Sequence, residues 1–168
     1  MIAVLLAAGA LLAETAAGGG ILPVPVFAQS PEHCGPAALA MVMTYYGADS
    51  TACAEAARAY QPELRGALIT DLAAAARRAG FRAEVIAPPP DSLAAWLARG
   101  VPPILLYQSG VGPVSRGHYG VLVGWDRPRG RCTLNDGGAK RRETAAASLL
   151  HAWRAAGGQA LIVQRAAP

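Results

Sequence analysis

The sequence predicts a single α+β domain in which an N-terminal helical half packs on a C-terminal antiparallel sheet. Helix signals crowd between residues 36 and 80, and strand signals dominate after residue 103. A turn at 126–130 joins two of those strands as a hairpin, which makes the pairing antiparallel. With 168 residues, of which 53% are hydrophobic and 15% charged, the chain is long and apolar enough for one core.

The first predicted helix begins near Pro36 and ends at Gly47. Proline fits a first helical turn because its missing N–H is not needed there, and glycine stops a helix readily. Nearly every position from 37 to 43 is apolar, so we expect a central helix that is contacted on several sides. Two more helices are expected: one capped by Asp49-Ser50-Thr51 and reaching Tyr60, and one from Thr70-Asp71 to Gly80.

The strongest strand signal covers residues 118–125, where continuous apolar and β-branched residues indicate a strand buried on both faces. After the turn at 126–130, a returning strand is expected at 131–135. The other expected elements are, in chain order, a strand at 83–86, a helix at 92–99, a strand at 103–107, a helix around 148–153 and a closing strand at 159–163.

Charge and hydropathy disfavour two classes of function. The net charge is +4, but the basic residues are spread out and their two tight clusters are not interleaved with aromatic residues, so we expect no nucleic-acid partner. No uninterrupted apolar stretch reaches the roughly 18 residues of a spanning helix. We therefore expect no integral membrane segment in the mature chain.

The N-terminus predicts a division into a leader at 1–20 and a domain at 21–168. Residues 2–12 are apolar or small, and cleavage after Ala17 would satisfy the small-residue rule, although a positively charged start is missing. A signal peptide implies an exported protein, periplasmic or secreted. The alternative is an alanine-rich helix that stays with the domain, which would leave the protein cytoplasmic.

Three cysteines, Cys34, Cys53 and Cys132, form neither a CxxC motif nor a Cys/His array, so no metal and no other cofactor is expected. Cys53 and Cys132 have two interpretations: a disulfide, or the favoured one of two buried thiols. Cys34 stands at the N-terminus of the first helix, where unpaired N–H groups and the helix dipole favour a thiolate. By itself, this position suits a nucleophile and a capping residue equally well.

A histidine base would decide between these two roles. His33 adjoins Cys34, and neighbouring side chains at a helix start should point in different directions, so it is a poor base. His151 falls in the helix expected around 148–153. His118, which opens the central strand, is the remaining candidate. The antiparallel return places Asp136 about one to three residues from the position opposite His118, and we expect its carboxylate to orient the ring. Taken alone, Asp136 would be interpreted as a turn residue before two glycines.

The segment VPVFAQSPEHCGPAALAMVMTYYG, with the later GHYGVLVGWD and LNDGG, resembles bacteriocin-processing (double-glycine leader) peptidases. It is closer to their free-standing bacterial relatives in the papain-like superfamily, over residues 24–163. The resemblance implies a papain-like fold with Cys34 as nucleophile, His118 as general base and acid, Asp136 as orienting residue and Gln29 as oxyanion-hole donor. Independently, an amide five residues ahead of the sulfur can turn back to join the Cys34 N–H.

Two departures from that family bear on function. No transporter membrane domain follows, so the substrate of the transporter-fused members, a leader peptide cut during export, cannot be transferred to this chain. His33 stands where transporter-fused members usually carry Asp. The sequence predicts a cysteine peptidase that acts on a peptide or protein substrate through a Cys-His-Asp triad, without a metal. The alternatives are an amidase, transpeptidase or transglutaminase-like enzyme on the same triad, and a non-catalytic peptide-binding module.

Overall fold

The computed structural model describes residues 20–110, 112 and 115–166. The predicted leader at 1–20 therefore lies outside the described residues except for Gly20. Within the part of the chain that is described, no helix is long and apolar enough to cross a membrane.

Five α-helices, two short 3₁₀ helices (Pro31–His33 and Pro62–Leu64) and six strands make up the described domain. The helices are α1 (Cys34–Tyr45), α2 (Ser50–Ala57), α3 (Ile69–Arg78), α4 (Pro90–Ala98) and α5 (Ala146–Ala155). The strands are β1 (Phe81–Ile86), β2 (Ile104–Ser109), β3 (Arg116–Asp126), β4 (Arg131–Asn135), β5 (Arg142–Ala145) and β6 (Ala160–Arg165). They form one antiparallel sheet in the order β1-β6-β2-β3-β4-β5, which confirms the predicted α+β class.

The sheet separates two apolar cores. Helices α1, α2 and α3 cover one face, where Leu39 and Met41 of α1 are fully buried beside Val121 of β3. Helices α4 and α5 cover the other face, which holds Leu134 and Trp153. The apolar composition of α1 follows from its position. The helix packs along the sheet and against α2 and α3, so few of its side chains are exposed to water.

Two elements differ from expectation. Strand β5 is not predicted, because a four-residue edge strand with exposed charged residues shows no hydrophobic alternation. Helix α2 ends at Ala57 rather than at Tyr60, although Asp49 caps its start as predicted: the Asp49 carboxylate accepts a hydrogen bond of 3.0 Å from the Ala52 N–H.

A β-bulge near Val123 sets the geometry of the strand pair that carries the predicted base. Asp126 pairs with Arg131, but the register shifts between Leu122 and Gly124, so that Leu122 pairs with Leu134. Continued past the end of β4, this register places Asp136 opposite Gly120 (a Cβ on Gly120 would lie 3.1 Å from that of Asp136). Because alternate residues of a strand share a face, the extra residue brings Asp136 to the face that carries His118.

Candidate active site

Cys34 is the first residue of α1 and is 5% exposed. Burial raises the pKa of its thiol, but interaction with the His118 ring and with main-chain N–H groups of Tyr119 and Gly35 outweighs it, so that the pKa is lowered. The start of a helix adds unpaired N–H groups and the positive end of the dipole. The position therefore favours a thiolate, as the sequence predicts.

His118 shows the opposite change. Burial lowers the pKa of its imidazole, but interaction with Cys34 and with Asp136 outweighs burial, and the pKa is raised. A thiol whose pKa is lowered beside an imidazole whose pKa is raised favours proton transfer from sulfur to nitrogen. The arrangement can thus hold a thiolate–imidazolium pair.

The tautomer of His118 follows from its hydrogen bond to main chain. His118 Nε2 lies 2.9 Å from the Asp136 carbonyl oxygen, and a carbonyl oxygen can only accept. Nε2 must therefore carry a hydrogen. Nδ1 is the nitrogen left to exchange a proton with the Cys34 sulfur.

Among the described residues, the hydrogen bond from Asp136 to the His118 ring comes from the main chain and not from the carboxylate, which the sequence predicts to orient the ring. The carboxylate accepts hydrogen bonds from Arg142 Nε and, at 3.1 Å, from the Tyr107 hydroxyl. Arg142 Nη2 also reaches the Tyr107 oxygen at 3.3 Å. The unpredicted strand β5 supplies Arg142 and thereby engages the carboxylate, leaving the main-chain oxygen to contact His118.

Gln29 lies against the turn that follows Asp136. The main-chain N–H of Gln29 donates to the Gly137 carbonyl at 3.2 Å, and a Cβ on Gly137 would lie only 2.8 Å from Gln29 Nε2. Both polar atoms of the Gln29 amide are buried without a hydrogen-bond partner among the residues described. A buried amide with an unused donor is suited to bind a developing oxyanion.

The sequence model of the Peptidase_C39-like family matches residues 21–161. The chain belongs to the Peptidase_C39-like family. This confirms the resemblance drawn from the Gln, Cys, His and Asp motifs. No curated protein matches the sequence.

Three solved structures share the fold of this C39-like chain. A double glycine motif protease from an AMS/PCAT transporter, in complex with the leader peptide, is 22% identical, with a TM-score of 0.68 over 88% of this chain and 95% of that one. The peptidase domain of Streptococcus ComA, a bifunctional ABC transporter of a quorum-sensing pathway, is 20% identical, with a TM-score of 0.66 and coverages of 84% and 97%. A C39-like peptidase from Bacillus anthracis is 17% identical, with a TM-score of 0.72 and coverages of 88% and 98%. The papain-like fold is thereby confirmed.

Two cavities adjoin the Cys34–His118 pair of this C39-like domain. Cys34 lines a cleft of about 550 Å³ with mainly apolar walls, on whose rim Leu64 and Leu68 are about half exposed. His118 lines a second cavity of about 390 Å³ with mixed polar and apolar walls, together with Asp136 and Arg142. The two members of the pair therefore line different cavities.

The other histidines lie away from the thiol chemistry. His33 Nδ1 is 2.8 Å from the Ser30 hydroxyl, and its ring stacks on Tyr60 with centroids 4.4 Å apart. His151 is exposed on α5. Both positions agree with the sequence interpretation, which favoured His118.

All three cysteines are free thiols. Cys53 contacts Thr44 of α1, with 3.4 Å between sulfur and oxygen, whereas Cys132 lies in the core on the other face of the sheet. The sheet between them precludes the Cys53–Cys132 disulfide. Burial raises the pKa of Cys132 to about 11, in contrast to the lowered pKa of Cys34.

Sequence reasoning missed two residues of the site, Tyr107 and Arg142. Tyr107 reads as an ordinary strand residue, and Arg142 belongs to the basic run 140–142. Their link to Asp136 joins β2 and β5 to the turn after β4, and Tyr107 and Arg142 are 35 residues apart, so no local pattern could have indicated it.

Proposed function

We propose that this chain is a cysteine peptidase with Cys34 as nucleophile and His118 as general base and acid. Its family and fold support peptidase activity. The observation that carries the proposal is the Cys34–His118 pair, in which the thiol pKa is lowered and the imidazole pKa is raised. With Nε2 engaged by Asp136, the ring offers Nδ1 to the sulfur.

In the proposed reaction, the Cys34 thiolate attacks the carbonyl carbon of a peptide bond and forms a C–S bond. The carbonyl electron pair moves to oxygen, where the Cys34 N–H and the Gln29 amide donate hydrogen bonds. As the pair returns, the C–N bond breaks and the imidazolium gives its proton to the leaving amine. Water, losing a proton to His118, then attacks the thioester and releases the acid and the thiolate.

Asp136 has an orienting role in this proposal, exerted through its main chain. The hydrogen bond from Nε2 to its carbonyl oxygen fixes the ring plane and tautomer and stabilises the imidazolium. In this arrangement the group that accepts the Nε2 hydrogen of His118 is a main-chain carbonyl with a dipole, and not a carboxylate with a negative charge.

The proposed substrate is a peptide or protein segment in extended form. The cleft beside Cys34 and the cavity beside His118 provide space on both sides of the scissile bond. A structure with the same fold holds a leader peptide, which supports a peptide ligand here.

The test is cleavage of a peptide library, with detection of new N-termini. We expect Cys34→Ala and His118→Ala each to lower the rate by about 10⁴-fold or more, because each removes a member of the nucleophile–base pair. Cys53→Ala and His151→Ala are the matched controls, since they delete a thiol and an imidazole outside the site and should retain cleavage. Circular dichroism checks that all four variants fold.

Cleavage that persists in either active-site variant would overturn the proposal. Incorporation of an added amine in place of water would assign the same residues to a transpeptidase if a new N-terminus is also released, or to a transglutaminase-like enzyme if none is. Binding without cleavage, together with a Cys34 that iodoacetamide alkylates at pH 6 no faster than a free thiol, would indicate a peptide-binding module.

A further inference from the structure

The Asp136 carboxylate is held from two sides by residues of strands that the sequence keeps far apart. Tyr107 belongs to β2, where it pairs with His118, and its ring meets the His118 ring edge-on with centroids 5.5 Å apart. Arg142 belongs to β5, where it pairs with Leu134 of β4. Both residues are thus fixed by the sheet ladder on either side of the turn that begins at Asp136.

We propose that Arg142 and Tyr107 are positioning residues that act on His118 through Asp136. The inference rests on the proposed function. The part of Asp136 that contacts the base is its carbonyl oxygen, and the ladder between β3 and β4 ends one residue earlier, at Asn135. A carboxylate clamped by two strands fixes the main chain of the same residue, and thereby the oxygen that receives the Nε2 hydrogen.

Burial and charge favour this arrangement, in which Tyr107 and Arg142 form a clamp on the Asp136 carboxylate. The Asp136 side chain is 11% exposed, so its charge depends on hydrogen bonds from protein rather than from water. Burial and the Asp136 charge raise the pKa of Tyr107, which keeps its hydroxyl protonated as a donor. Burial lowers the pKa of Arg142, but the hydrogen bond to Asp136 outweighs it, and the guanidinium stays charged.

The same turn also supports the Gln29 amide. Gly137 follows Asp136 directly; its carbonyl oxygen accepts a hydrogen bond from the main-chain N–H of Gln29, and the Gln29 side chain occupies the space that a Cβ on Gly137 would need. A turn displaced by loss of the clamp would therefore disturb the base and the oxyanion donor together. For this reason we expect kcat to fall and KM to change little, as for a small misplacement of reacting groups.

The variants Arg142→Ala, Arg142→Lys and Tyr107→Phe test the proposal. Two measurements are made on each: peptide cleavage, and the pH dependence of iodoacetamide alkylation of Cys34 in a Cys53→Ala, Cys132→Ala background. Alkylation needs no substrate, so it reports the Cys34–His118 pair independently of peptidase activity. Arg131→Ala is the matched control, because Arg131 is also an arginine of the β4–β5 pair but contacts Glu143, at 3.8 Å.

We expect Arg142→Ala to lower kcat by about 100-fold. Its alkylation rate at pH 6 should fall about tenfold, since a one-unit rise in the thiol pKa has that effect on the thiolate fraction. Arg142→Lys should recover part of both losses by restoring the charge, and Tyr107→Phe, which keeps the ring, should reproduce both in weaker form. Arg131→Ala should match the parent.

A purely structural role for the clamp would lower the melting temperature without moving the alkylation profile. The proposal is overturned if Arg142→Ala and Tyr107→Phe both keep the parent profile and kcat. It is upheld without the peptidase assignment if the profiles shift but the parent cleaves no peptide. A parent Cys34 that reacts like a free thiol would overturn the Cys34–His118 pair and both proposals with it.

Discussion

The space occupied by the Gln29 amide depends on Gly137, which has no side chain. Gly137 has φ +100°, in the left-handed region that favours glycine, and the Gln29 side chain leaves no room for a Cβ there. A methyl group there would meet the amide nitrogen at 2.8 Å. The two requirements, backbone conformation and close approach, coincide at this one position.

We predict that Gly137→Ala lowers kcat by on the order of 100-fold, the usual effect of losing one oxyanion-hole donor. The matched control is Gly130→Ala in the β3–β4 turn, where φ is +61° but a Cβ would meet open space. Both variants carry the strain of alanine at positive φ, about 1 kcal/mol. Steady-state kinetics on both would contradict the prediction if their kcat values fell equally.

The coupled titration of Cys34 and His118 gives a second prediction. The pKa of Cys34 is lowered, so activity should rise with pH below the range of an ordinary thiol. The pKa of His118 is raised, so the imidazolium that protonates the leaving amine should persist above the ordinary imidazole range and then be lost. The profile of kcat/KM against pH should therefore be bell-shaped, with limbs that belong to the pair. A single rising limb at the pKa of a free thiol would contradict it.

At the scale of elements, the segment 20–30 matters although it contains no helix or strand. It carries Gln29 across the end of the sheet and is held by hydrogen bonds to its main chain. The Leu22 N–H donates to the Val123 carbonyl at 2.8 Å, and Asn135 Nδ2 donates to the carbonyls of Val24 and Pro25 at 3.2 and 3.0 Å. Asn135 itself is fully buried.

We predict that Asn135→Ala destabilises the protein by about 1–3 kcal/mol, because the Pro25 carbonyl loses its donor and the Val24 carbonyl is left with its hydrogen bond from Arg141. Urea unfolding measures this change, and kcat should fall as well, since the segment that positions Gln29 loses its anchor. Arg129→Ala is the control. It removes an exposed ion pair with Asp126, 3.1 Å in length, and should change stability by less than about 0.5 kcal/mol. Equal stability of the two variants would argue against the anchor.

At the scale of the whole molecule, one sheet serves two cores, and this arrangement predicts a single unfolding transition. All three tryptophans belong to one face of the sheet: Trp153 is buried in the core on the side of α4 and α5, and Trp96 and Trp125 pack against that core. The opposite core, which contains the fully buried Met41, has none of them. Tryptophan fluorescence therefore reports on the face away from α1.

We predict that Met41→Ala lowers the free energy of unfolding by about 2–5 kcal/mol. The tryptophan-fluorescence transition should shift by the same amount as the far-UV circular dichroism transition, although no tryptophan shares the mutated face. Leu134→Ala, in the tryptophan-bearing core, is the matched variant and should shift both signals equally. Separate transitions in Met41→Ala would show that the two faces unfold independently.

The sequence by itself determined the elements whose signals are local. Pro36 and Gly47 bracket α1 because proline and glycine act on the backbone at their own positions, and the turn at 126–130 closes its hairpin for the same reason. The ordered motifs around Gln29, Cys34, His118 and Asp136 also sufficed to indicate the family. These features depend on residues that are close together in the sequence, and not on contacts across the sheet.

Only the tertiary structure decided how Asp136 meets His118. The bulge near Val123 selects the face of the sheet on which Asp136 falls, and a single inserted residue leaves no mark in the hydrophobic pattern. Strand β5 then brings Arg142 to the carboxylate, and the main-chain oxygen of Asp136 contacts the His118 ring. The face of the sheet on which a residue falls, and the pairing of the edge strand β5, depend on contacts between residues that are distant in the sequence. Local sequence patterns do not encode such contacts.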